Sequence, residues 1–137
     1  MTVDTHTHLR HETDTSKTRA RAARRKPHVL LIEDDDELRE RYRATLESAG
    51  YHVTELPDGT SARGYFEDCL LHEQPRAIVD CIVSDLRMPG CDGLDVVQAI
   101  EDLGRHVPTV VVTGYGDLPT WVRARGLGVS AMLDKPV

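Results

Sequence analysis

The stretch that most constrains the fold is Cys81-Ile82-Val83-Ser84-Asp85, followed at once by Leu86-Arg87-Met88-Pro89-Gly90-Cys91-Asp92-Gly93. A short apolar run bounded by turn residues is the pattern of a strand buried on both faces of a parallel sheet. Asp85 therefore falls where a strand ends and the chain turns. Ligand sites of open α/β sheets lie outside the carboxyl ends of the strands, so the position suits chemistry. An aspartate there can also merely cap a turn, a common use of Asp. This stretch alone leaves both readings open.

The rest of the chain repeats the pattern. His28–Ile32 is an apolar run that meets Glu33-Asp34-Asp35-Asp36-Glu37. Asp35 or Asp36 suits a helix N-cap, and acids in a first turn complement the helix dipole. Leu38, Tyr42, Thr45, Leu46 and Ala49 then recur at helical spacing, and Gly50 closes that helix. Tyr51–Leu56 alternates as a second strand before the turn Pro57-Asp58-Gly59. The spacing predicts a helix over Thr60–His72 with Ala62, Phe66, Cys69 and Leu70 inward, and assigns nothing to 75–79. A third helix starts near Gly93, with Leu94, Val97, Ile100 and Leu103 inward. Val107–Val112 forms a strand ending at Thr113-Gly114. Leu118–Arg125 forms a helix, and Val129–Leu133 a last strand that meets Asp134-Lys135-Pro136. Strand and helix in alternation predict a doubly wound parallel sheet with right-handed crossovers.

Composition narrows the class. A chain of 137 residues, 39% hydrophobic and 29% charged, suits one soluble domain. No apolar run approaches the roughly 18 residues of a membrane helix, and the N-terminus lacks an export-type apolar core. A cytoplasmic protein without membrane insertion is expected. Cys69, Cys81 and Cys91 show no C-x-x-C spacing, which fits reduced thiols.

The net charge of −6 conceals two regions. Residues 1–27 carry seven Lys/Arg against three acids, a net of +4, and the remainder carries −10. We read 1–27 as a basic, largely disordered extension and 28–137 as the folded domain. The basic run could meet nucleic acid or an acidic partner, but it holds no helix-turn-helix pattern, so direct DNA binding is not expected. His6, His8 and His11 mimic the H-x-H metal motif of amidohydrolase barrels. Such a barrel takes roughly 250 residues, and the further ligands have no room here.

Four strand ends now carry polar groups: Glu33, Asp34 and Asp35 after the first, Asp85 after the central one, Thr113 after the next and Lys135 after the last. Each has an ordinary use alone. The carboxyl edge of a doubly wound sheet would bring them into one crevice. If the first strand lies beside the central one, Asp34 faces Asp85, and like charges that close cost free energy unless a cation joins them. All-oxygen ligation with few carboxylates suits Mg²⁺. Nucleophilic carboxylate, hydroxyl, ammonium and hard cation together make a phosphoryl-transfer site.

The order and spacing of Leu31-Ile32-Glu33-Asp34-Asp35, Val83-Ser84-Asp85-Leu86-Arg87-Met88-Pro89-Gly90, Val110-Val111-Val112-Thr113-Gly114 and Asp134-Lys135-Pro136 resemble the receiver domain of two-component response regulators, the group that includes the chemotaxis regulator. The resemblance covers Val29 to Val137. It implies a flavodoxin-like five-stranded sheet in the order 2-1-3-4-5, helices on both faces, and Asp85 as acceptor of a phosphoryl group. The donor would be the phosphohistidine of a sensor histidine kinase or a histidine phosphotransfer protein. Asp34 and Asp85 would hold Mg²⁺ (Mn²⁺ may substitute), with Glu33 acting through water and Arg87 through its backbone carbonyl. Thr113 would hydrogen-bond the phosphoryl group and Lys135 pair with it, ahead of a cis peptide at Pro136. Gly114 begins the switch loop. Arg87 and Tyr115 would flank the path of attacking water, and their bulk predicts slow self-dephosphorylation. Beyond that self-directed chemistry, no enzyme activity is implied.

Two departures from the family stand out. Met132 occupies the place of an aromatic residue three before the lysine, and no fifth helix follows Lys135-Pro136 before Val137. The second departure leaves part of one sheet face, with Val110, Val112, Val129 and Leu133, uncovered. Exposed apolar patches of that kind mark interfaces, so a homodimer through that face is expected. The output partner is not legible. The other reading is a receiver portion of a larger DNA-binding regulator or hybrid histidine kinase.

Overall fold

The computed structural model describes residues 25–72, 78–114 and 116–137, with the side chains of 69–72 left aside. Five apolar runs become strands: β1 (His28–Ile32), β2 (His52–Leu56), β3 (Cys81–Asp85), β4 (Thr109–Thr113) and β5 (Ala131–Asp134). Between them lie α1 (Asp36–Ser48), α2 (Gly59–His72), α3 (Gly93–Asp102) and α4 (Leu118–Gly126). Every strand pair is parallel and the sheet order is β2-β1-β3-β4-β5. The expected doubly wound topology is therefore what the chain adopts. β1 lies between two strands and is buried along its whole length, which is why it reads as an unbroken apolar run.

Helix starts follow local chemistry. The Asp35 carboxylate accepts from the Leu38 N–H at 3.0 Å to cap α1. Asp92 and Asp95 cap α3 reciprocally, each carboxylate accepting the other's backbone N–H. Asp117 caps α4 through the Thr120 N–H at 2.9 Å. At the end of α1, Gly50 takes φ 98°, a left-handed turn that a side chain would strain.

Three strand starts differ from the sequence reading. β2 begins at His52 rather than Tyr51, because the Tyr51 N–H still donates to Leu46 O at the end of α1. β4 begins at Thr109 rather than Val107: Pro108 has no N–H to give a ladder, and only its carbonyl takes part, accepting from the Ile82 N–H. β5 begins at Ala131 rather than Val129, whose N–H is still engaged with Ala124 O at the end of α4.

The core lies on one side of the sheet. Leu30, Ile32 and Ile82 pack with Ala62 and Phe66 of α2, with Val96 and Ile100 of α3, and with Met88 and Cys91 of the loop between. A second cluster joins Leu86, Leu94, Val111 and Ala124, with Leu127, Val129 and Met132 against it. The other side is covered in part, with Val29, Leu31 and Val112 buried, and open around Val110 and Leu133. Tyr42, Thr45, Leu46, Val83, Val110, Val112, Leu133 and Val137 line a groove of about 260 Å³ there. No residue of α1 is buried; Leu38, Tyr42 and Leu46 are half-buried, while Thr45 and Ala49 are exposed.

Val110, Val112 and Leu133 line the open face as expected, but Val129 belongs to the opposite cluster. It precedes the strand, so alternation does not govern it. Leu103, expected inward, lies just past the end of α3 and is 39% exposed. Cys69 and Leu70 as core residues, the extension up to residue 24, and the His6, His8 and His11 motif lie outside the described residues. Among the described residues no helix is long and apolar enough to cross a membrane.

Candidate functional site

Strand register builds the site. Asp85 is level with Val112 and Thr113 with Asp134, so the ends of β3, β4 and β5 open onto one edge. Glu33 follows β1 there. Glu33, Asp85 and Thr113 are 1%, 8% and 1% exposed, whereas Asp34 is exposed. Glu33, Asp34 and Asp85 each bring one carboxylate oxygen within 4.8 Å of the others'. The Lys135 ammonium stands 3.4 Å from Asp85 Oδ2 and 3.6 Å from Glu33 Oε2. Its backbone N–H donates to Thr113 O at 2.9 Å, which fixes the lysine to β4. The Lys135–Pro136 peptide is cis.

Gly93 sets how closely α3 approaches this edge. A Cβ there would fall 2.5 Å from Asp85 O and 3.0 Å from Ser84 Oγ. Only a glycine lets the helix start rest on the end of the strand. Its N–H donates to Leu86 O at 2.9 Å and closes the turn.

The electrostatics are unbalanced. Burial pushes the Glu33 carboxyl up to about 7; Asp85 adds to that push, while the Asp35 N–H and Lys135 pull back. Burial likewise raises Asp85, against the pull of Lys135 and the Arg87 backbone N–H. Burial works to lower Lys135, but the Asp85 and Glu33 carboxylates outweigh it and the net shift is upward. Glu33 Oε1 accepts from the Asp35 N–H at 3.2 Å, whereas Oε2 is buried with no hydrogen-bond partner. An orphaned buried carboxylate oxygen is costly. Three acids around one ammonium, with that oxygen unsatisfied, fit a hard divalent cation that takes oxygen ligands.

A family model described as the response regulator receiver domain matches residues 29–137. The chain belongs to that family. Among curated relatives, the transcriptional regulatory protein FixJ of Azorhizobium caulinodans is 38% identical over 108 residues, which are 79% of this chain and 47% of that protein. The C4-dicarboxylate transport regulator DctD of Pseudomonas aeruginosa is 36% identical over 108 residues, 79% of this chain and 22% of that one. The receiver thus spans about half the length of the FixJ proteins it matches. Among solved structures, chemotaxis protein CheY4 of Vibrio cholerae superposes with a TM-score of 0.71 at 25% identity, covering 82% of this chain and 89% of that one. A response regulator receiver protein from Pseudomonas putida gives 0.68 at 31%, covering 82% and 88%.

The receiver gathers Glu33, Asp34, Asp85, Thr113 and Lys135 at one edge, with Gly114 exposed beside them. The Arg87 side chain is exposed. Its charge contributes, behind the Thr120 hydrogen bonds, to holding Asp117 below the usual carboxylate range. Met132 lies apart from the acids, half-buried against the Leu86, Leu94, Val111 and Ala124 cluster. Tyr115 lies outside the described residues.

Three contacts escaped the sequence reading. Arg39 Nη1 donates to Glu33 O at 2.8 Å, steadying the acidic turn. Arg123 grips Asp92 at 3.3 Å and Asp95 at 2.8 Å, which holds Asp95 below and Arg123 above their ordinary values. Trp121 rests on Gly116. The D-x-x-D capping spacing of α3 was visible in the sequence; its arginine, 28 and 31 residues away, was not.

Proposed function

We propose that this receiver is a phosphoacceptor switch in which Asp85 takes a phosphoryl group from the phosphohistidine of a sensor histidine kinase or a histidine phosphotransfer protein. The observation that carries it is one buried carboxylate, Asp85, with a second acid pair within 4.8 Å and an ammonium at 3.4 Å. An Asp85 oxygen attacks phosphorus, the P–N bond to the imidazole breaks, and its electron pair returns to the ring nitrogen. Lys135 offsets charge on the transferred group, and the Thr113 hydroxyl donates to one of its oxygens. Asp34 and Asp85, with a water on Glu33 and the Arg87 carbonyl, would hold Mg²⁺ (or Mn²⁺), which would neutralise the phosphoryl charge. Arg87, with Tyr115, would retard attack by water and lengthen the acyl phosphate's life.

In this reading residues 28–137 are the working domain and 1–27 an accessory extension. Signalling takes place in the cytoplasm, and this segment does not itself bind DNA. Output passes through a partner or through further chain, as the greater length of FixJ and DctD suggests. The apolar groove beside α1 is the surface for a homodimer.

The test is labelling with a small phosphoryl donor and Mg²⁺, read by intact mass. One phosphoryl group should add to the wild type and none to Asp85→Asn or to protein in excess EDTA. Labelling that survives in either case refutes the mechanism.

A further inference from the structure

Asp34 is the exposed member of the acidic trio. Packing does little to aim an exposed carboxylate, so its direction depends on the backbone that carries it. That backbone lies in a run of five acids, residues 33–37, whose mutual repulsion works to open the turn. The turn is held by bonds on both sides of Asp34. Before it, the Glu33 N–H donates to Leu56 O at the end of β2 at 3.2 Å. After it, the Asp35 N–H donates to Glu33 Oε1 at 3.2 Å and the Leu38 N–H to Asp35 Oδ1 at 3.0 Å.

One side chain bridges the two sides. Arg39 Nη1 donates to Glu33 O at 2.8 Å and Nη2 to Asp36 Oδ1 at 2.6 Å. The guanidinium fork thus grips the residue just before Asp34 and the residue two after it. Its Nε stands 3.9 Å from Glu55 Oε1 on β2. The Arg39 side chain is 19% exposed and that of Asp36 87% exposed. An ion pair with so exposed a partner contributes little to stability. What the fork adds is geometry, and a lysine, a point charge on a flexible stem, does not reproduce it.

We propose that Arg39 is a positioning residue for the divalent cation, holding the peptide bond between Glu33 and Asp34 so that Asp34 presents its carboxylate beside Asp85. The inference rests on the phosphoacceptor reading and its metal site. When Glu33 O loses this partner, the peptide group can rotate, and rotation turns the Glu33 and Asp34 carboxylates together. Charge works in the opposite direction. A guanidinium near a cation site repels the ion, so by charge alone Arg39 weakens Mg²⁺ binding. The sign of a substitution therefore separates the two roles.

The test is Mg²⁺ titration of the unphosphorylated chain, followed through the amide resonances of Asp34 and Asp85. Arg39→Gln should raise the dissociation constant roughly tenfold, the low end for groups that orient metal ligands. Arg39→Lys should raise it nearly as far, although the charge is kept. Arg43→Gln removes an equal charge one turn along α1, from contacts to Glu40, Glu47 and Glu55, and should leave the affinity near that of the wild type. Titration reads folded molecules, so a variant that is merely less stable would keep the wild-type constant. Unchanged or tighter binding in Arg39→Gln overturns the proposal. Wild-type affinity in Arg39→Lys does the same, as does equal weakening in Arg43→Gln. If Mg²⁺ moves neither resonance in the wild type, the metal reading fails instead. The amides of residues 33–36 should still exchange faster in Arg39→Lys than in the wild type, and equal exchange would overturn the grip itself.

Discussion

The two faces of the sheet are built from the same strands and end differently. Toward α2 and α3, Leu30, Ile32 and Ile82 are fully buried under Phe66, Val96 and Ile100. Toward α1, Leu31 and Val112 are buried as well, but Val83 and Val110 are half-exposed and Leu133 is 41% exposed. The sequences of the two faces are equally apolar, because alternate residues of one strand serve both. What differs is cover. Burial depends on what lies over a side chain as much as on its own chemistry, so an equally apolar face can contribute much less to stability.

Truncation should expose that difference most strongly. Ile82→Ala should cost about 2–5 kcal/mol, the range for buried aliphatic truncations. Val110→Ala should cost about 1 kcal/mol or less, since much of its side chain is already hydrated. Urea unfolding measures both, and equal losses would erase the distinction between the faces. Next in size is association. If the groove is the dimer surface proposed above, Val110→Lys should turn that dimer into a monomer in light scattering and leave the unfolding midpoint of the isolated domain near that of the wild type. A dimer that persists would move the interface elsewhere.

A smaller effect belongs to the edge where the faces meet. Glu33 and Asp85 are raised above their ordinary values. Acids raised by folding add stability below their unfolded pKa and lose it as pH climbs through the folded value. Without metal, Tm should therefore fall between about pH 5 and pH 8, and Mg²⁺ should restore more of it at the upper end. Glu33→Gln should flatten the metal-free profile, and a wild-type slope in that variant would show that another group carries it. The smallest effect is expected at the surface clamp: Arg123→Ala should cost about 1 kcal/mol or less, as exposed ion pairs do. Its mark should be faster amide exchange confined to α4.

The sequence was most informative where a strand ends on a charge. β1 and β3 were legible because their apolar runs stop at Glu33 and Asp85, whereas the strand order came with the resemblance to the receiver family. Strand starts were less so, since Pro108 and the helix-closing bonds of Tyr51 and Val129 delay the ladder without breaking the apolar run. The residues gathered at the edge were legible by type, but the unsatisfied Glu33 Oε2 depends on packing and was not. Arg123 and Trp121 were invisible for one reason: each acts on a partner that local periodicity does not connect to it.

The sheet also has a far rim. There Arg25 pairs with Asp80 through two hydrogen bonds of 2.8 and 3.0 Å, and Asp80 also takes the His28 N–H at 2.7 Å. A five-residue strand is roughly 17 Å long, so this mooring and the acidic edge lie on opposite ends of the sheet. A bead, surface or label attached at this rim would therefore hold the molecule from behind. Its acidic edge would face solution, open to a macromolecular phosphoryl donor, so attachment at this rim is the orientation of choice for measuring phosphotransfer on immobilised protein.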